Sequence, residues 1–526
     1  MKRRTIHLRR VVGVGVRGLI GAFHESLLGA WTALSARITA LELADKAVGA
    51  PVRRRFMVSM RARSGFVAAS LVLVAFSGCA RFHPQPLSPA VTAADFESRS
   101  LTNSNLRAFF ETNHLSGEWP RQSWDLDTLA LVAFYYHPDL AVARAEWARA
   151  DAARITAGER PNPSVSVTPG FDSGIPGTPS PWLVPVTFDW PIETAGKRGK
   201  RIAQAEHLAE AARWNLVGTV WQVRSRVRVA LVNVYAARET ESLLAQQAMA
   251  QSNVVRLLEG QVAAGSVSSL DVTQARVGLD TTRLAWQDVI GQYHQARVQL
   301  ANALGVPLRA LEGVELSFAG LGQFPQELTQ PEVRRQALLN RSDVRGALAE
   351  YAASQYALQL EIANQYPDLH LGPGYAWNAG SAGDSEWDLG LTLTLPVLNH
   401  NQGPVAEAKA RRAQAAAHFR AVQANAIGEI DSALAGYNAA LRQAATAEEL
   451  LRHLQQRLNS VRAQERAGEV DPLAVASGEV EFGTGLQSRL GALIKAQQAL
   501  GQLEDALQSP PEVPEAVLPG ALKTRR

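Results

Sequence analysis

The chain has 526 residues, with 53 Lys and Arg against 49 Asp and Glu for a formal charge of +4, 46% hydrophobic residues and 7% aromatics. This is folding composition rather than disorder, and a single cysteine, Cys79, excludes an intramolecular disulfide and any multi-cysteine metal cluster. Residues 1–78 hold 13 Lys and Arg against 3 Asp and Glu, leaving 40 against 46, a formal −6, on the rest. The bulk of the chain therefore has no general attraction for nucleic acid.

Just before the cysteine come basic Arg61 and Arg63, an apolar run from Phe66 to Phe76, then Ser77 and Gly78. That order is a signal peptide's, and the run is shorter than the ~20 residues a spanning helix needs. Phe76-Ser77-Gly78-Cys79 resembles a bacterial lipoprotein box, with Phe76 where leucine is usual. It predicts a covalent lipid on Cys79; a buried free cysteine is the plainer alternative. A start at Met57 or Met60 makes 57–78 the signal peptide and 1–56 a non-native extension. Within that extension Gly13-Val-Gly15-Val-Arg-Gly18 matches a dinucleotide fingerprint but lacks the strand and helix that would give it meaning.

After a linker over 79–124, the body reads as one unit repeated at an offset near 204 residues, over 125–320 and 321–508, with a Pro-rich tail over 509–526. Ala145-Glu146-Trp147-Ala148 aligns with Ala349-Glu350-Tyr351-Ala352, Pro169-Gly170-Phe171 with Pro373-Gly374-Tyr375, and Gly265 with Gly468. Each copy begins with a shorter helix, Pro138 to Ala157 and Ser342 to Asn364. Two strands follow in each, near 164–172 and 182–190, then near 368–378 and 386–395, where apolar and polar residues alternate strictly. Their length suits tilted transmembrane strands, and Trp182, Trp190, Trp377 and Trp387 lie near their ends, where an aromatic girdle would be. The alternative is a soluble sandwich, for which the rest of each copy supplies no further strands.

The remainder is helical. A proline-free stretch over 199–264 and a stretch over 404–467 with proline only at its start, Pro404, end at Gly265 and Gly468, and second helices follow over 271–304 and 474–508. A continuous helix of such length reaches ~100 Å. Gly278, Gly291, Gly483, Gly485 and Gly491 are expected to permit close helix packing. Four strands cannot close a barrel in lipid, so closure demands further copies of the chain.

With His137-Pro-Asp-Leu140, Arg160-Pro-Asn-Pro163 and Leu270-Asp271-Val272 added, residues 125–508 resemble the TolC family of outer-membrane factors. Pro191-Ile-Glu-Thr-Ala-Gly-Lys-Arg198 and Arg201-Ile-Ala-Gln-Ala205 are most similar to its heavy-metal cation efflux subgroup. The resemblance implies a mainly α chain with a small membrane β part. Three copies would form a 12-stranded β-barrel in the outer membrane of a Gram-negative bacterium, on a periplasmic α-helical tunnel. It also implies a periplasmic adaptor and an RND-type inner-membrane transporter as partners, with no enzymatic activity and no cofactor. The hairpin tips, with Gly265, Leu270, Asp271, Gly468, Glu469, Asp471 and Leu473, would meet the adaptor; Asp271 and Asp471 read equally as helix caps. Gln261 stands where the family often has a basic residue. Glu479 and Glu481, with Glu469 and Asp471, would form an acidic constriction if they face the bore, and an ordinary solvated face otherwise.

No serine-hydrolase, zinc-protease or P-loop motif is present in the sequence. His370, on a polar strand face, and His400, in a loop, are not read as metal ligands. Multidrug efflux and type I secretion are alternative duties for the same channel. A periplasmic coiled-coil scaffold or adaptor lipoprotein is the alternative of another class.

Overall fold

The computed structural model describes residues 81–113, 117–171, 182–325, 331–378 and 385–508. The leader, Cys79 and the tail over 509–526 lie outside the described residues. The elements below all belong to the unit Ser88–Arg526. In chain order they are α1 (Pro89–Glu97), α2 (Ser104–Thr112), β1 (Ser123–Trp124), α3 (Leu126–Tyr136), α4 (Pro138–Gly158), β2 (Ser164–Val167), β3 (Gly170–Phe171), β4 (Trp182–Ile192), α5 (Lys197–Ala263) and α6 (Ser269–Leu304). Then follow β5 (Glu315–Leu316), α7 (Pro331–Asn340), α8 (Ser342–Ala363), β6 (Leu369–Asn378), β7 (Ser385–Leu393), α9 (Gln402–Arg466) and α10 (Pro472–Leu507). The order of helix, hairpin, long helix and shorter helix occurs twice.

Local chemistry sets the boundaries. Asp125 and Thr128 form a capping box that starts α3. His137 Nδ1 accepts from the Asp139 N–H at 3.2 Å and, with Pro138 at the first position, starts α4. The turns from strand into long helix use left-handed backbone, at Ala195 and Gly196 before α5 and at Asn401 before α9. Neither α5, with 67 residues, nor α9, with 65, contains a proline beyond its first turn to break the hydrogen-bond ladder.

The main core gathers Leu129, Leu131 and Val132 of α3, Leu216, Val223, Val227 and Leu231 of α5, and Leu300 and Leu304 of α6. Leu101, Leu106 and Phe110 complete it, so the segment assigned to a linker contributes two helices and core residues. A second cluster joins Ile430 and Tyr437 of α9 to Leu500, Leu503 and Leu507 of α10.

Four strands give one open antiparallel sheet in the order β2, β4, β6, β7, with β3 extending β2 along β4. The first predicted strand is interrupted at Thr168 and Pro169, since proline lacks the N–H a ladder needs. β4 runs two residues further than expected, to Ile192, and β7 stops at Leu393, before Pro396. A parallel pair, β1 with β5, lies apart from this sheet. The glycine expectation holds in part. A Cβ on Gly485 would come within 2.5 Å of Leu454 and one on Gly478 within 3.2 Å of Leu458, whereas Gly278, Gly291 and Gly491 face open space and Gly483 has only ordinary contacts.

Candidate functional site: an apolar sheet and two helical tips

Register decides which residues share a face of the sheet. Val165 pairs Phe188, Val184 pairs Trp377, Val186 pairs Tyr375, Trp190 pairs Leu371, and Tyr375 pairs Trp387. One face is therefore apolar across all strands. The opposite face carries Ser166 beside Thr187, Gly374 beside Asp388, and His370 beside Thr392. There His370 Nδ1 meets Asp189 at 2.9 Å, and the Asp388 carboxylate occupies the space a Cβ on Gly374 would need.

The apolar face is uncovered: Trp190 is 61% exposed, Trp387 79% and Leu389 74%. A soluble sandwich would bury these residues in its core. A contiguous exposed apolar surface of this kind needs another apolar phase or partner against it. Trp182, Trp377 and Trp387 lie at the loop end of the sheet and Trp190 at the helix end. The eight residue steps from Trp182 to Trp190 span roughly 27 Å at ~3.4 Å each, close to the ~25 Å apolar band of outer-membrane strands. No helix among the described residues is long and apolar enough to cross a membrane.

The junction below the sheet is tied by ions. Lys197, buried at the start of α5, donates to Asp368 at 2.8 Å, and the Thr194 N–H donates to the same carboxylate oxygen at 2.9 Å. Arg201 pairs with Glu193. The motif cited for the subgroup thus contains the residues that fasten strand to helix.

At the far ends of the helices the tips close by left-handed glycines, Gly265 at φ +73° and Gly468 at φ +76°. Ser268 caps α6 and Asp271 accepts from the Ser268 N–H at 3.2 Å, completing a capping box. Asp471 caps α10 through one carboxylate oxygen, accepting from the Ala474 N–H at 3.0 Å, and accepts from Gln261 Nε2 through the other at 2.8 Å. Both aspartates therefore cap, and Asp471 also joins the two tips. Leu270 and Glu469 are exposed and Leu473 is half-buried. Glu479 pairs with Arg462 at 2.8 Å and Glu481 with Arg457 at 2.7 Å, each within its own hairpin. Each carboxylate's charge is compensated, as on a solvated face.

A buried polar network was not legible in the sequence. Glu504 of α10 accepts from Arg224 at 2.9 Å and Arg228 at 2.7 Å, both of α5. Arg228 also donates to Gln497 at 3.0 Å. Burial pushes the neighbouring Asp505 carboxyl up, and Ser225 donates to it. The partners lie 269 to 280 residues apart, and no local signal links them. At the start of α8, Arg341 bridges Asp343 and Glu429. Burial alone would raise Asp343, but the Arg341 guanidinium holds its carboxyl below the usual range.

The fold and its uncovered sheet define a membrane-inserting protein with a long helical body. The outer membrane efflux protein family matches residues 133–306 and 333–508, and the chain belongs to that family. It is an outer-membrane protein of the efflux and transport class that includes TolC. The chain is 26% identical over 307 residues to the pyoverdine export outer membrane protein OpmQ of Pseudomonas aeruginosa, covering 54% of this chain and 64% of that one. It is 29% identical over 213 residues to the cobalt-zinc-cadmium resistance protein CzcC of Cupriavidus metallidurans, covering 40% and 50%. The matched regions thus span about half to two thirds of the length of these relatives. Among solved structures, the outer-membrane channel OprN aligns with a TM-score of 0.61 at 20% identity, over 82% of this chain and 98% of that one.

Proposed function

We propose that the chain is the outer-membrane duct of a tripartite efflux assembly. Three copies close their sheets into one 12-stranded barrel, and their helices form a tunnel that receives cargo from a periplasmic adaptor and an RND-type inner-membrane pump. The observation that carries this reading is the open sheet, apolar on one whole face and unpaired at β2 and β7. Lipid satisfies the face, and only neighbouring strands satisfy the edges. The helix–hairpin set occurring twice is read as a duplicated unit. The adaptor contact is assigned to the exposed tips at Leu270 and Glu469. Lipid on Cys79 would add an anchor, which mass spectrometry of the mature N-terminus tests; an unmodified cysteine overturns it.

For cargo, heavy-metal cations are supported by the likeness to CzcC and by the Pro191–Arg198 motif. The longer alignment with OpmQ favours a second reading, export of an organic chelator or other small molecule. Deletion of the gene, followed by growth on a panel of metal salts and drugs, decides between them. Raised sensitivity to divalent metals supports the first, and unchanged metal sensitivity rejects it.

A further inference from the structure

The chain turns from strand into long helix twice, through similar left-handed backbone and with opposite chemistry. Gly196 before α5 and Asn401 before α9 have φ of +68° and +59°, and they follow Pro191 and Pro396 at the same spacing. At the first turn Glu193 pairs with Arg201, and Lys197 pairs with Asp368. At the second, Leu398 stands where the first has Glu193, and no Asp, Glu, Lys or Arg occurs over 389–406.

This second turn is exposed as well as apolar. Leu398 is 92% exposed, Val397 71% and Leu395 65%, so their own chain does not bury them. The helix side of the turn is anchored, since Asn401 Nδ2 donates to the Glu361 carbonyl at 2.7 Å and Gln365 Nε2 to that of His400 at 3.0 Å. Within the apolar part the Val397 N–H donates to the Leu395 carbonyl at 2.9 Å. Single exposed leucines are ordinary, but an uncharged cluster beside an uncovered sheet needs an apolar phase against it.

Three features select lipid over protein as that phase. Leu395 and Val397 continue the alternation of Leu389, Leu391 and Leu393, so the apolar face runs on past the end of the ladder. Pro396 has no N–H to give a neighbouring strand, and the stretch carries no charge with which to pair a protein partner. Register places Leu391 level with Trp190 through Leu371, so 395–398 lies beyond the aromatic residue at the helix end, where the headgroups of a bilayer would be.

We propose that the segment 395–398 is an interfacial anchor, whose apolar side chains enter the headgroup and upper acyl region of the periplasm-facing leaflet. It rests on the reading that the sheet lies in the outer membrane, and adds to that reading a membrane boundary set by one of the two turns. Tyr366, 59% exposed and next to Gln365, supplies the amphipathic ring suited to the same depth. The ion-tied first turn makes no such contact.

The test is spin-label accessibility in the full chain carrying Cys79→Ser, reconstituted in phosphatidylethanolamine–phosphatidylglycerol vesicles. Single nitroxides are attached at Leu398→Cys, at Val397→Cys, at Leu391→Cys in the sheet and at Glu469→Cys on a tip. Collisions with oxygen, which concentrates in lipid, are compared with collisions with a water-soluble nickel chelate. Oxygen is expected to exceed nickel by roughly threefold or more at Leu398, Val397 and Leu391, and nickel to prevail at Glu469. Nickel access at Leu398 and Val397 equal to that at Glu469, with Leu391 in lipid, overturns the anchor and leaves the membrane sheet standing. Low access to both reagents at Leu398 and Val397 means that protein covers the turn, which overturns lipid as its partner. Nickel access at Leu391 overturns the membrane sheet, and the anchor with it.

Discussion

The two longest helices, α5 and α9, differ by two residues in length, yet twenty residues of α5 are buried against seven of α9. α5 is wrapped by its own chain: α3, α4, α6, α8 and α10 all pack on it. α9 packs chiefly on α10 and α8 and turns a long surface of Ala, Gln, Glu and Arg outward. The same order of elements, occurring twice, has thus produced an internal column and a border. Helix length and the order of elements therefore do not determine burial; the residues that meet neighbours do. Val223, Val227 and Leu231 make α5 a core helix, whereas Ala421, Ala424 and Ile427 of α9 leave a face a second copy could cover.

The ion network that fixes α5 to α10 carries the largest expected effect. Glu504→Ala leaves two buried guanidiniums without their shared acceptor and is expected to cost about 3–5 kcal/mol, read as a lowered unfolding midpoint in denaturant. Leu231→Ala, in the packed middle of α5, is expected to cost about 2–5 kcal/mol by the same measurement. A smaller effect is expected at His137, buried between α3 and α4. Burial lowers its pKa, as does Arg226, against the pull of Asp139. The folded state then binds fewer protons than the unfolded one, so its contribution is present above the ordinary value of 6.5 and is lost as pH falls below it. The melting midpoint should drop between pH 7 and pH 5, and His137→Asn, which keeps an acceptor for the Asp139 N–H, should flatten that drop. Ala424→Trp on α9 should change the unfolding free energy of one chain by no more than about 0.5 kcal/mol. Under the proposed three-copy assembly, native mass spectrometry should show a trimer for the wild-type chain and less of it for this variant.

Much of the sheet was legible because a two-residue period needs no knowledge of partners, and Leu389, Leu391 and Leu393 declare their common face directly. The tips were legible for a similar reason, since Gly265 and Gly468 end proline-free runs and Asp271 and Asp471 sit at capping distance. What could not be read depends on contacts far apart in the chain. Leu106 and Phe110 look like residues of a polar connection until α2 packs on α3 and the Phe110 ring meets Trp119 and Trp124. Arg224 and Glu504 look like surface charges on two amphipathic helices until those helices are laid together. Glycines misled in the same way: Gly485 receives Leu454, whereas a Cβ on Gly278 or Gly291 would meet nothing within 4 Å among the described residues.

An uncovered apolar sheet with two open edges is proposed to become a membrane channel when copies of the chain combine. Planar-bilayer recording of the purified full-length protein tests it most directly. Discrete conductance steps are expected; a silent bilayer at protein levels that give incorporation would rule out the channel.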